Sequence, residues 1–415
     1  VTKLKLHDRF LRPRVLEALG DSPVVLIHGP RQCGKTTLVQ EIGDQEGYDY
    51  ITFDDDVQKA AAEADPVGYV SDLSERVILD EVQRVPKIFT SLKAVVDKKR
   101  KPGRFILTGS ANVLLVPNLA DSLAGRMEIL RLHPLSQDEL AESRSNFLET
   151  IFGSESIRRK DGKRLGAALA AKVAAGGYPS ALSRSTAARS RAWYRGYAET
   201  LIQRDIRDLA KIRSIGSLPK LLEMAASRTA KLTNFSDLAG PFEISRKTIR
   251  EYVTLLSQIF LLEELPPWFS NRMKRLVKTP KLHMGDTGLA CSLLGLDARS
   301  LWEDRSLYGH MLETFLYQEL RKQGSAADRS VSFYHFRDKD QDEVDVVLES
   351  EGKISGVEVK GAATVGVGDF KGLKKLQAAT GKKFTRGFLL YDGEAVVPFG
   401  PGLYAVPIST LWKGF

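Results

Sequence analysis

An apolar run that enters a glycine loop and leaves it as a helix constrains this chain more than any other feature. Residues 24–29 read VVLIHG, the β-branched pattern of a strand buried on both faces of a parallel sheet. The run passes into Gly29-Pro30-Arg31-Gln32-Cys33-Gly34-Lys35-Thr36, which fits G-x-x-x-x-G-K-[ST], and the helical pattern TTLVQEIG follows. Glycines let backbone N–H groups turn inward around an anion, and a helix N-terminus adds the positive end of its dipole. Residues Gly29 to Thr37 are therefore expected to cradle the phosphates of ATP. Lys35 would neutralise β- and γ-oxygens, and Thr36 would ligate Mg2+. Cys33, inside this loop, reads either as an oxidation-sensitive thiol at a helix N-terminus or as a small apolar filler.

The rest of such a site follows at suitable distances. Residues 76–82, RVILDEV, form an apolar strand ending in acids. There Asp80 would hold Mg2+ through water and Glu81 would polarise the attacking water. Residues 104–110, RFILTGS, form another strand with polar groups at its C-terminal end, where ligands of open α/β sheets bind. Ser110 or Asn112 could sense a γ-phosphate there, or simply hold a loop. Arg126, before the strand MEILRL, could act as an arginine finger on its own or a neighbouring subunit's nucleotide, or make a surface salt bridge. With YDYITFD at residues 48–54, five strands alternate with helical segments and predict a doubly wound parallel sheet.

The middle of the chain, from about residue 143 to 266, reads as helical. Residues 232–240 and 244–256 suggest a helix-turn-helix whose second helix buries Ile249, Val253 and Leu256 and projects Arg246, Lys247 and Arg250. FLLEELPPW, at residues 260–268, reads as a hairpin wing. Such a module either binds DNA or is purely structural.

From Ser306 onward the order reads α-β-β-β-α-β. In EVDVVLES, Glu343 and Asp345 share a strand face; in ISGVEVKG, Glu358 and Lys360 do. Pairing of these strands would place Asp345 beside Glu358 and Lys360, with Glu313 of the preceding helix in reach. Two carboxylates can hold a hard Mg2+ ion, and a lysine beside them can orient a hydrolytic water. A retained fold without cleavage and a surface ion network are the other readings of the same residues.

The stretches GPRQCGKTTL, VILDEVQRVP, FILTGSAN, LAGRMEILRLHPLS, GGYPSAL, KLHMGDTGLACSLLG, LETFLYQEL and VDVVLES…VEVKG span nearly the whole chain. In them it resembles the prokaryotic AAA-type ATP-binding proteins that join a P-loop domain, a winged helix and a C-terminal restriction-endonuclease-like (PD-(D/E)xK) domain. The resemblance implies a P-loop ATPase core over 1–142, a helical lid over 143–228, a winged helix and connector over 229–300, and a nuclease-like α/β domain over 301–415. It implies ATP binding by Gly34, Lys35 and Thr36, Walker B acids at Asp80 and Glu81, and a nuclease-like cluster of Glu313, Asp345, Glu358 and Lys360. Two positions depart from the pattern: Cys33 stands where such proteins often carry valine, and Val344 replaces the proline before Asp345.

Composition bounds the partners. The 415 residues carry a formal net charge of +9, which suits an anionic partner such as DNA. No apolar run approaches the ~18 residues of a membrane span, and residues 1–20 lack a signal-peptide core. Two distant cysteines form no disulfide framework, and a cytoplasmic location is expected. The expected function is Mg2+-dependent ATP hydrolysis coupled to DNA binding or processing, with nuclease activity and homo-oligomerisation open. The rival is a nucleotide-regulated switch whose inactive nuclease-like domain binds a protein partner.

Overall fold

The computed structural model describes residues 6–110, 123–154, 157, 162–209, 215–242, 244–271, 273 and 279–415. The chain divides into two compact units, one formed by Asp8–Leu135 with Gln258–Phe260, the other by Val1–His7, Ser136–Ser257 and Leu261–Phe415.

In the first unit the elements run α1 (Arg12–Asp21), β1 (Val24–His28), α2 (Lys35–Glu46), β2 (Asp49–Thr52), α3 (Asp56–Ala64), α4 (Pro66–Ser71), β3 (Val77–Asp80), α5 (Ile88–Lys98), β4 (Phe105–Gly109) and β5 (Met127–Arg131). The five expected strands form one sheet in the order β2-β3-β4-β1-β5, and every pairing is parallel. Side-chain alternation sends β1 to two cores. Val24 and Leu26 pack with Val70 of α4 and with Ile88, Leu92 and Val96 of α5. Val25 and Ile27 pack with Val15 and Ala18 of α1 and with Leu38, Val39 and Ile42 of α2. A strand covered on both faces has no place for polar side chains, which explains the uninterrupted apolar run in β1. The register Val24↔Phe105 and Val24↔Met127 aligns the strand starts, so β1, β4 and β5 also end on one edge.

The second unit contains α6 (Ala167–Ala175), α7 (Ala187–Leu209), α8 (Leu218–Ser227), β6 (Lys231–Leu232), α9 (Phe235–Ala239), α10 (Arg246–Gln258), β7 (Leu262–Leu265), β8 (Lys281–Met284) and α11 (Thr287–Leu293). The last residue of α10, Gln258, clusters with the first unit. Strands β6, β8 and β7 make a three-stranded sheet in that order. The expected hairpin within 260–268 does not form. Instead β7 pairs antiparallel with β8, Leu262 opposite Met284. The reason lies in Pro266 and Pro267, which lack the N–H a returning strand would donate. That segment runs along another strand: the His335 N–H donates to the Pro266 carbonyl (2.9 Å), and the Trp268 N–H donates to the His335 carbonyl (2.6 Å).

The C-terminal part runs α12 (Arg305–Ala326), β9 (Ser332–Arg337), β10 (Glu343–Ser350), β11 (Lys353–Lys360), α13 (Lys371–Thr380) and β12 (Phe384–Tyr391), the expected order, and then adds β13 (Val397–Gly400) and β14 (Leu403–Pro407). They form a mixed six-stranded sheet, β13-β14-β12-β11-β10-β9. Strands β10 and β11 are antiparallel with Val346 opposite Val357; β11 runs parallel to β12. Helix α13 lies against the sheet through Val344, Val347, Leu373 and Leu376. Its approach at Gly372 is so close that a Cβ there would stand 1.7 Å from the Glu343 carbonyl oxygen, whereas a Cβ at Gly309 on α12 would meet nothing within 4 Å. Gly372→Ala is thus expected to lower the thermal-unfolding midpoint by roughly 5 °C, the overpacking penalty being about 2 kcal/mol. Gly309→Ala should leave the midpoint unchanged or raise it slightly.

Candidate active site at the P-loop and a carboxylate centre

The glycine loop lies where β1 ends, and its backbone has the required form. Gly29 has φ 157°, Gln32 φ 62° and Gly34 φ 102°, with Gly34 capping α2. A Cβ at Gly29 would fall 2.1 Å from the Leu132 carbonyl oxygen, so only glycine fits that corner. Lys35 is buried, and its ammonium donates to the carbonyls of Gly29 (3.0 Å) and Pro30 (2.9 Å). Cys33 is fully buried in the core of α1 and α2 with its thiol on the Leu132 carbonyl, so it is an apolar filler. Thr37 and Gln32 are exposed. The sequence reading missed Arg9. Its guanidinium donates to the Cys33 carbonyl (2.7 Å) and the His133 carbonyl (2.6 Å), fastening the loop to the segment after β5. No local pattern marks that arginine.

Asp80 closes β3 on the same edge. Its Oδ2 accepts from the hydroxyls of Thr36 (3.0 Å) and Tyr50 (2.6 Å), and its Oδ1 from the hydroxyl of Thr108. Burial, and then the bond to Asp80, hold the Tyr50 hydroxyl above its ordinary pKa. Glu81 sits at φ 58°, a left-handed conformation uncommon for a non-glycine residue. Its N–H donates to the Thr108 hydroxyl (3.1 Å), and its Oε2 accepts from the Ser110 hydroxyl (2.7 Å) and the Gln83 amide. Burial pushes this carboxyl up, but Lys35, Gln83 and Ser110 outweigh it and leave Glu81 below the ordinary carboxylate range. Ser110 therefore meets Glu81, and Asn112 lies outside the described residues. The groups suit a nucleotide with its metal: a glycine loop that opens a helix, an ammonium, a hydroxyl and an acid at 3.0 Å from each other, and a second acid held ionised.

Arg126 is not brought to this edge. It precedes β5, whose start pairs with the start of β1, so the length of a five-residue strand, about 16 Å, separates it from the loop. Its guanidinium forks onto both carboxylate oxygens of Asp97 at the end of α5.

In the second unit, the β10–β11 hairpin brings Asp345 to Glu358 as the alternation required. The Val359 N–H donates to Asp345 Oδ2 (3.0 Å), and the Asp345 N–H to Glu358 Oε2 (3.3 Å). Glu313, on α12, joins them. Lys360 does not: half-exposed, its ammonium donates to Asp369 (2.6 Å). The ammonium among the carboxylates is that of Lys281, the first residue of β8. It lies 2.8 Å from Glu313 Oε1, 3.2 Å from Asp345 Oδ1 and 3.4 Å from Glu343 Oε2. Lys281 is 3% exposed. Burial disfavours its charge, but Glu313, Asp345 and Glu343 overcome that and raise its pKa. Burial, and then Asp345, raise both Glu313 and Glu358. Sequence reading missed Lys281 because its partners lie 32 and 64 residues away; the one signal was a lysine opening a buried strand, KLHM.

On α10, Ile249, Tyr252, Val253 and Leu256 are buried while Arg246, Lys247 and Arg250 are exposed, with the Arg250 guanidinium over the Phe235 ring of α9. No helix among the described residues is long and apolar enough to cross a membrane.

Comparison with known proteins places these features. A family model described as an AAA domain matches residues 21–141, and two domain families of unknown function, DUF8612 and DUF4143, match 167–300 and 308–411. The uncharacterized protein Rv2008c of Mycobacterium tuberculosis is 30% identical over 412 residues, which span 99% of this chain and 86% of that one. An uncharacterized protein of Haemophilus influenzae is 23% identical over 74% of this chain and 76% of its own length. Among solved structures, the Walker-type ATPase PABY2304 of Pyrococcus abyssi aligns over 70% of this chain and 96% of its own with 17% identity and a TM-score of 0.40. The chain belongs to the family of the uncharacterized mycobacterial protein Rv2008c, and within it carries an AAA-type P-loop domain on a parallel sheet.

Proposed function

We propose that this protein hydrolyses Mg2+-bound ATP at the P-loop and couples the turnover to DNA binding. The observation that carries the first half is the convergence of Lys35, Thr36, Asp80 and Glu81 at the C-terminal edge of one parallel sheet. The amides from Arg31 to Lys35 and the α2 N-terminus would receive the phosphates, since the Gly29 N–H is spent on the Gly109 carbonyl and Pro30 has none; Thr36 and Asp80 would hold the metal. When bound, the metal neutralises charge on the phosphate oxygens. Glu81, kept ionised, orients and polarises the attacking water, and Ser110 and Gln83 hold Glu81 in place. Lys35→Ala should abolish ATP binding and hydrolysis together. Glu81→Gln should leave nucleotide affinity near the wild-type value while hydrolysis falls at least 100-fold, as read by equilibrium binding and phosphate release. Equal hydrolysis by wild type and Lys35→Ala would sink the assignment.

Arg126, on the far edge of the sheet, makes the surface salt bridge to Asp97; to serve as a finger it would have to leave Asp97 for a nucleotide on another copy, which would make the active form a homo-oligomer. Specific activity should then rise with protein concentration, and Arg126→Ala should flatten that rise.

The DNA half rests on the exposed Arg246, Lys247 and Arg250 at the start of α10, read as the recognition helix of a winged helix built from α8, β6, α9, α10, β7 and β8, and on the net charge of +9. Binding to duplex DNA should weaken steeply with salt. Replacing the three basic residues by alanine should lower the slope of log K against log[salt] by roughly 3. A slope that does not change removes this face from the interface.

One observation favours part of the rival reading, a nuclease-like domain that does not cleave: the carboxylates are occupied by Lys281, while Lys360 is engaged with Asp369. Supercoiled plasmid is expected to stay intact with Mg2+ or Mn2+.

A further inference from the structure

We propose that Lys281 is the resident cation of the Glu313–Asp345–Glu358 centre, and that a divalent cation enters the centre only by displacing its ammonium. This rests on reading that centre as nuclease-like, and it concerns the one feature in which the residues as arranged disagree with a metal site.

Three observations lead to it. An ammonium has three N–H donors, and Lys281 has three carboxylate partners, Glu313, Asp345 and Glu343, at 2.8, 3.2 and 3.4 Å. Hydrogen bonds to Glu313 and Asp345 and the ion pair with Glu343 hold the ammonium among the acids, so Lys281 does not replace Lys360 as a helper of cleavage. Next, the neighbouring carboxylate oxygens are turned to the backbone: Asp345 Oδ2 accepts from Val359 and Glu358 Oε2 from Asp345. Mg2+ demands oxygens near 2.1 Å in octahedral array, a geometry these oxygens cannot take while gathered around a nitrogen at 2.8–3.4 Å. Finally, the lysine comes from a different part of the fold. It opens β8, the central strand of the three-stranded sheet, whereas Glu313 lies on α12 and Asp345 and Glu358 on the β10–β11 hairpin. Four acids gather around one ammonium, so a doubly charged ion has oxygens to compete for. Any movement of β8 away from α12 and β10 would clear the centre for it.

Mn2+ binding to the full chain without nucleotide, followed by the loss of the free-ion electron paramagnetic resonance signal, tests this. A site counts as this centre only if Glu358→Gln removes it. Wild type should show no such site at sub-millimolar Mn2+. Lys281→Met and the milder Lys281→Gln should each gain one, at least tenfold tighter than any site in wild type. Their unfolding midpoints should fall by roughly 10 °C, because a buried pair loses its cation, and Mn2+ should restore most of the loss in these variants but not in wild type. A Glu358-dependent Mn2+ site already present in wild type overturns the proposal and leaves the nuclease-like reading standing. Folded Lys281 variants that gain no Mn2+ site overturn the proposal and that reading together. Failure of both variants to fold even with Mn2+ present also overturns it, since a displacing metal should replace the lost charge. ATP hydrolysis measured in parallel reports on the P-loop alone.

Discussion

A carboxylate taken out of water must be met by donors, and that requirement organises both compact units. Asp80 is met by three hydroxyls from Thr36, Tyr50 and Thr108, which lie on α2, β2 and β4. Glu81 is met by Ser110 and Gln83. In the other unit Asp286 caps α11 through the Leu289 N–H and also takes the Gly177 N–H, and Asp392 takes the N–H groups of Leu165 and Gly166. Each such bond is worth about 1.5–3 kcal/mol, and an unmet buried acid costs at least as much. The acids therefore act as ties between segments far apart in sequence, and chemistry is available only where a tie can be exchanged for a ligand.

The same requirement decides what could be read from the sequence. The inner strands β1, β3 and β4 were legible because a strand covered on both faces is apolar along most of its length, and the loop after β1 because only glycine tolerates the corner at Gly29. The pairing of Asp345 with Glu358 was legible because alternation and a short connection fix a hairpin's faces. Other features depend on distant partners. Lys360 shares a face with Glu358, yet a half-exposed lysine takes whatever acid lies near, and Asp369 does. Lys281 carries no mark beyond its place at the head of a buried strand. The partner of β7 is not local either: β8 begins at Lys281, beyond the two prolines that follow β7.

The two candidate sites also differ in how their acids are kept. At the P-loop, the donors to Asp80 are neutral hydroxyls, which yield to a metal with little change in charge. At the second centre the donor is a full positive charge, so exchange there replaces one cation with another. The first arrangement can release its acid at small electrostatic cost. The second is stable as it stands.

Lys281 lies within residues 167–300 and its acids within 308–411, segments matched by two separate domain families. An ion pair that straddles such a border makes the halves inherit one another. A C-terminal segment cut out at residue 301 and grafted elsewhere would carry its acids without their cation, and would have to acquire a metal or a new basic residue to fold. Exchange of these segments between relatives is thus constrained to partners that bring a compatible charge at the head of β8.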